Sequence, residues 1–399
     1  MKSLILALLC LVPLIALGQE GQITLQAALS RAYETRAGIR AARLRLSQAQ
    51  ASRRALAAVP PTRAFLGYST SAEVGGTDGD AMIAQQIDIF GRSRAGRSVG
   101  DALVLQAQAA LTETLVTVQT DVISLYTQTA ASAALASTAQ NTLQIVEQLE
   151  NAVKQRVEGG VAPGVQAMRL SIEVERARAM SSRRQAELDA NLTRLAAATG
   201  FPKDALVLSG MPDFEPQAAV AIEQTRPDLL ALAAEVATAE ADARLARTSS
   251  LPELELQGRR SPWQDQRGQY GARIQLSFPL WDGGKTRNEV SAASSRAEAA
   301  RQLLADARAI AASEVDAART EVAASVQEVS SFEKIVQTAR LLVERTRTGL
   351  TEGASSLIEV LDALRALRET EETLIEARLW LAQAQGRLLH VTGQLVVKP

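Results

Sequence analysis

One cysteine, Cys10, and one histidine, His390, in 399 residues leave little from which to build a soft-metal site or a nucleophile–base pair. Aromatic residues make up 3% of the chain, too few to fill an ordinary globular core of this length. Neither sign of charge dominates. With 43 basic residues against 44 acidic ones, nothing in the balance calls for a nucleic acid partner. Beyond the N-terminal stretch, no apolar run reaches the ~18 residues that a transmembrane helix needs. Two stretches, Asp101–Glu158 and Lys285–Thr348, hold neither glycine nor proline over 58 and 64 residues.

What remains is a chain of long helices and short strands behind an export signal. Met1–Gly18 has Lys2, the apolar run Leu4–Leu17 and small residues at Ala16 and Gly18, which reads as a secretory leader cleaved after Gly18. Cys10 is preceded by Leu9, where a lipoprotein signal wants a small residue, and it leaves with the leader. The mature chain then has no cysteine and no cofactor site of thiolate type, and no enzyme chemistry is expected of it. An exported chain without a spanning helix can enter a membrane only by strands.

In the longer uninterrupted stretch Val315, Val322, Val329, Val336 and Val343 recur every seven residues, and in the other Val104, Leu111, Val118 and Leu125 do the same. Both are coiled-coil seams, and 64 helical residues span roughly 95 Å. Just before the second stretch, Tyr270, Ala272, Ile274, Leu276 and Phe278 fall on one parity and Gly271, Arg273, Gln275 and Ser277 on the other. Such period-two alternation describes a strand between two unlike media. Leu254 and Leu256 alternate with Glu253, Glu255 and Gln257 in the same way. In the first half Ala81, Ile83, Ile87 and Ile89 oppose Gln86 and Asp88, and Leu66 and Tyr68 oppose Arg63 and Ser69. These segments predict two β-hairpins, 63–90 and 251–281, with loops at Ser71–Gly79 and Ser261–Gly268.

The landmarks recur at a nearly constant offset: Arg36 and Arg226, Gly67 and Gly258, Gly160 and Gly353, Gly200 and Gly393. Thr-Gly closes both halves, at Thr199-Gly200 and Thr392-Gly393. The chain is therefore expected to divide into a leader (1–18), a first repeat (19–200), a linker (201–217), a second repeat (218–393) and a tail (394–399). Each repeat reads helix (23–59 and 219–247), hairpin, long helix, tight turn, returning helix. The fold class is mainly α with membrane β. Four strands cannot close a barrel, and an open edge is prohibited in lipid, so the chain is expected to oligomerise, three copies giving twelve strands. Glu253, Glu255, Arg273 and Gln275 would then line a water-filled lumen. A different reading, a periplasmic coiled-coil scaffold whose hairpins pack on a soluble core, stays open at this point.

Gln85–Arg94, Arg226-Pro-Asp-Leu229, Phe278–Gly284 and Glu352–Ala363, together with the duplication, resemble the TolC-like outer-membrane efflux proteins over nearly the whole mature chain. The resemblance implies a homotrimer in outer-membrane lipid, with a twelve-stranded barrel on a long periplasmic α-helical tunnel. Its partners would be a periplasmic adaptor and an inner-membrane pump, and its cargo small molecules; a type I protein-secretion duct is the alternative. It further implies adaptor docking at the turns holding Gly159, Gly160, Pro163, Gly353 and Ser355. It implies a periplasmic constriction at Glu359 and Asp362, six and nine residues past Gly353. His390 reads as a packing residue.

Overall fold

The computed structural model describes residues 22–72, 76–160, 163–212, 222–248, 250–262, 270–278 and 280–397. The predicted loops 71–79 and 261–268, and the turn 159–164, lie partly outside these. The first repeat opens with β1 (Gln22–Ile23), α1 (Leu25–Thr35) and α2 (Ala37–Leu56). It continues through β2 (Arg63–Ser71), β3 (Gly76–Ile87), α3 (Arg92–Glu158) and α4 (Gly164–Thr199). A 3-10 turn, Lys203–Ala205, and β4 (Val207–Leu208) bridge to the second. There α5 (Ile222–Thr225), α6 (Pro227–Thr248), β5 (Glu253–Arg260), β6 (Tyr270–Ser277), α7 (Lys285–Glu352) and α8 (Leu357–Thr392) follow in the same order.

The returning helices α4 and α8 are both 36 residues long, and the long helices α3 and α7 are 67 and 68 residues. At 1.5 Å per residue each long helix spans about 100 Å. Along each one, two shorter helices lie end to end. On α3, α2 occupies the upper level, where the guanidinium of Arg53 meets Asp101. Below it lies α4, where Asn191 donates to Ser132 (2.6 Å) and Arg178 reaches Glu147 (3.2 Å). On α7, Arg301 binds Glu240 of α6 (2.5 Å), while Arg387 and Arg378 of α8 reach Glu321 and Glu333 (2.9 and 2.8 Å).

Two helices differ from expectation, and one feature of the long helix was hidden. α3 starts at Arg92 and runs through two glycines. A Cβ on Gly96 would run into the Leu56 carbonyl oxygen, and one on Gly100 would stand 2.6 Å from Arg53 Cα. These glycines let α2 and α3 approach backbone to backbone and do not break the helix. The predicted helices 23–59 and 219–247 are each split, at Arg36 (φ −66°, ψ 121°) and between Thr225 and Pro227. Both breaks serve one purpose. Thr35 and Thr225 donate their hydroxyls to the carbonyls of Thr199 and Thr392 (3.2 and 2.6 Å), and the Arg36 guanidinium donates to the Ala198 carbonyl (2.9 Å). The second-repeat arginine, Arg226, binds Asp228 and Glu314 instead (2.9 and 2.6 Å). Gly200 and Gly393 sit there at φ +77° and +66°, as left-handed helix caps.

At this level the main core gathers. Leu29, Ile39, Val122, Tyr126 and Leu195 are buried together, and Leu395, Val396 and Val397 pack on them. Gln119, fully buried, donates to the Gln394 carbonyl (2.7 Å) and accepts from the Val396 N–H (2.7 Å) and Tyr33 (3.3 Å). The Tyr126 hydroxyl donates to the Ile23 carbonyl (2.9 Å), beside the parallel β1–β4 pair. Burial pushes the Tyr33 phenol up to about 12. His390 contacts Thr120 (Nδ1–Oγ1, 3.2 Å) at the edge of this region.

Candidate functional site

Four strands form one antiparallel sheet in the order β2-β3-β5-β6, so the two repeats lie side by side and join through β3 and β5. The register puts Ile274 opposite Leu256, Leu276 opposite Leu254, Ile87 opposite Leu254 and Leu66 opposite Ala81. Opposed residues share a face. The apolar residues of all four strands thus make one continuous surface, with Leu66 87%, Ile83 60% and Ile274 74% exposed. A protein in water rarely bares so much contiguous apolar area.

The other face holds the polar residues singled out from sequence. Glu255 pairs with Gln275, Glu253 with Ser277 and Gln257 with Arg273, which brings Glu253, Glu255, Arg273 and Gln275 together. Gln257 ties them by donating to Glu255 (2.5 Å) and Gln275 (3.3 Å). The alternation has exceptions. Phe65 and Met82, which oppose each other, lie on the polar face, while Gln85 lies opposite Leu256 on the apolar one. The Gln85 amide is satisfied by the carbonyls of Pro60 and Gln86 (2.9 and 2.8 Å).

Where strands give way to helices, Arg92 acts as a clamp that sequence reasoning missed. It donates to the carbonyls of Thr248 (3.1 Å) and Leu251 (2.9 Å) and pairs with Glu253, tying the start of α3 to the end of α6 and to β5. Asp88 accepts from the N–H groups of Arg92 and Ser93 (2.8 and 2.7 Å), and Asp282 from those of Gly284 and Thr286 (both 2.9 Å). Desolvation raises the Asp88 carboxyl, but the donors of Ser93, Arg92 and Gly91 outweigh it and hold the group below the usual carboxylate range. Thr286 and then Gly284 do the same for Asp282.

At the opposite end, α3 and α7 each turn back into α4 and α8. Gly160 (φ +71°) and Pro163, the N-cap residue of α4, frame the first turn; 161–162 lie outside the described residues. In the second turn α7 continues through Gly349 to Glu352, and Gly353 (φ +82°) caps it. The Ala354 and Ser355 N–H groups return to the Gly349 carbonyl (2.7 and 3.0 Å). Leu143, Val146, Leu170, Val343, Val360 and Leu361 pack the two hairpins into one apolar tip, and Arg156 donates to the Leu350 carbonyl (3.4 Å).

Glu359 is engaged in a capping box. Its carboxylate accepts from the Ser356 N–H (2.8 Å), and its own N–H donates to the Ser356 hydroxyl (3.3 Å). One turn on, Asp362 faces Arg365 (3.4 Å), which also binds Glu173 of α4 (2.6 Å). The two acids are thus brought onto one exposed helix face, each already in contact with a donor. Arg365 and Glu173 were not found from the sequence, because their pairing is made between the two hairpins, 192 residues apart in the chain.

Known proteins agree with this architecture. The outer membrane protein VceC of Vibrio cholerae superposes with a TM-score of 0.73 at 18% identity, over 93% of this chain and 96% of that one. The Campylobacter jejuni outer membrane channel CmeC gives 0.73 at 14% identity, over 92% and 85%. The open-state outer membrane channel MtrE of Neisseria gonorrhoeae gives 0.70 at 19% identity, over 93% and 89%. No curated protein sequence matches the chain. Its second repeat does match a family, over residues 219–394, described as outer membrane efflux protein. The first repeat has the same element order, and the whole chain has the fold of these channels. The second repeat thus matches the outer membrane efflux protein family, and the chain as a whole has the fold of outer membrane channels.

Proposed function

We propose that three copies of this chain form a passive export channel, the outer-membrane component of a tripartite efflux system for small molecules. The observation that carries this reading is a pair of matching open rows. The sheet runs β2-β3-β5-β6, and the helices beneath it pack in the corresponding order α2, α3, α6, α7. Both rows end on unpartnered elements. In lipid the free edges of β2 and β6 are untenable, because their N–H and C=O groups would find no water. An even number of alternating strands lets β6 of one copy pair antiparallel with β2 of the next. This is a heterologous contact that closes into a ring after a few copies, and twelve strands is an accepted barrel size. The face holding Glu253, Glu255, Arg273 and Gln275 then turns to the lumen and the apolar face to lipid.

The turns with Gly159, Gly160, Pro163, Gly353 and Ser355 would present backbone to a periplasmic adaptor. Glu359 and Asp362, in three copies, would crowd carboxylates at the tip, with Arg365 moderating the charge of Asp362. Conduction needs an aqueous path and no chemistry. The test is the purified full-length protein. An SDS-resistant, heat-modifiable trimer with discrete conductance steps in a planar bilayer is expected, and a monomer that fractionates with soluble periplasmic protein and shows no conductance would refute the reading.

A further inference from the structure

The junction between sheet and helices carries exposed groups for which a duct alone has no use. β3 and β6 run in the same direction, since each is antiparallel to β5, so both end at one edge of the sheet, where α3 and α7 begin. At this edge the apolar face continues past the last strand residue into Phe278 (56% exposed), Leu280 (91%) and Trp281 (88%), with Ile89 and Phe90 exposed at the end of β3. Within the next turn or two of helix stand Arg94 and Arg97 on α3 and Lys285 and Arg287 on α7, all exposed. Arg94 and Arg97 are three residues apart and share a helix face.

These cations have little to neutralise them. Glu289 approaches Lys285 only at 3.8 Å, and among the described residues no carboxylate pairs with Arg94, Arg97 or Arg287. The nearby acids are committed elsewhere: Asp88 and Asp282 to backbone N–H groups, Glu253 to Arg92, Asp101 to Arg53. A belt of exposed aromatic and aliphatic side chains, followed within a turn or two by uncompensated positive charge, complements the acyl-to-headgroup boundary of a bilayer leaflet.

We propose that this collar binds anionic phospholipid of the leaflet facing the helices, with Phe278, Leu280 and Trp281 among the acyl chains and Arg94, Arg97, Lys285 and Arg287 on phosphate-bearing headgroups. The inference rests on the outer-membrane channel reading and adds a lipid preference to it. Free phosphate would account for the cations but not for the apolar belt continuous with the lipid-side face.

The test uses the full-length protein carrying Trp263→Phe and Trp380→Phe, so that Trp281 is its one tryptophan. It is reconstituted in vesicles containing brominated phosphatidylglycerol or brominated phosphatidylcholine at equal mole fraction. Quenching of Trp281 is expected to be at least about threefold stronger with the anionic lipid, given what each basic residue contributes near an anionic surface. The variant R94Q/R97Q/K285Q/R287Q should bring that ratio close to one while keeping its quenching by phosphatidylcholine, which also shows that it is inserted. Equal quenching of the parent by both lipids, or none by either, overturns the proposal. Conductance measured on the same vesicle preparation separates the two readings, because a conducting channel without lipid selectivity removes the collar and leaves the channel standing.

Discussion

Ile274→Arg puts the two-faced sheet to its most direct test. β6 has eight residues, Tyr270–Ser277, which at about 3.4 Å each measure roughly 27 Å along the strand and, at the ~35–45° tilt of barrel strands, rise about 20 Å within the ~25 Å apolar band of outer-membrane barrels. Ile274 stands just past its midpoint, opposite Leu256, and is 74% exposed on the apolar face. An arginine there would meet hydrocarbon near the midplane, at about 2–4 kcal/mol per copy. Three copies in one ring bring the penalty to about 6–12 kcal/mol, comparable to the ~5–15 kcal/mol that holds a typical domain together. The matched control, Arg273→Ile, alters the opposite face, where Arg273 is paired with Gln257. The assay is the yield of heat-modifiable trimer in the outer-membrane fraction. Ile274→Arg should abolish or greatly reduce it, whereas Arg273→Ile should preserve it and change only single-channel conductance. Equal loss from both would refute the assignment of one face to lipid and the other to water.

Gly393→Ala should destabilise the protein by more than the ~1–2 kcal/mol expected for a left-handed backbone position alone, because its Cβ would also strike the Thr225 carbonyl; Gly353→Ala, with open space at φ +82°, should cost only the backbone part. Thermal melts of the two variants give the comparison. Arg365→Ala removes the positive group between Asp362 and Glu173, so block by trivalent cations added from the helix side should strengthen, and Glu359→Ala/Asp362→Ala should weaken it; bilayer recordings in which neither variant differs from the parent would take these residues out of the passage. Tyr33 has its folded value raised to about 12 from 10.0, so its contribution is complete below pH 10 and is lost as pH rises toward 12. Tyr33→Phe should flatten the fall in denaturant midpoint over that window.

Heptads, strand parity and repeat offset can all be read along a line, which is why the long helices, the two hairpins and the duplication were visible in the sequence. Val336 and Val343 are buried where the seven-residue spacing put them, and the alternation from Tyr270 to Phe278 survives in the register. What escaped was set by contacts across the fold. Gly96 and Gly100 look like interruptions until α2 is seen lying against them. The breaks at Arg36 and Arg226 follow from Thr199 and Thr392, about 165 residues further along the chain. Arg92 is unremarkable beside Arg94 until its three partners from α6 and β5 converge on it. Glu359 was legible as an acid near a turn, but its role as a cap depends on Ser356, through the local pattern Ser-x-x-Glu.

The end-to-end arrangement of the short helices along the long ones has a mechanical meaning. α2 and α4 abut at one level on α3, α6 and α8 at the same level on α7; each joint is held by a threonine hydroxyl and a left-handed glycine cap, and the first also by Arg36. Joints are the compliant points of a strut, yet here each is splinted by a helix that passes it without interruption. A pull or twist applied at the tips therefore reaches the sheet along α3 and α7, through covalently continuous helix, while the joints take up shear. Force applied at the tips would be delivered at the sheet with little lost in the middle, and bending would be confined to the level of the joints, beside the short β1–β4 pair.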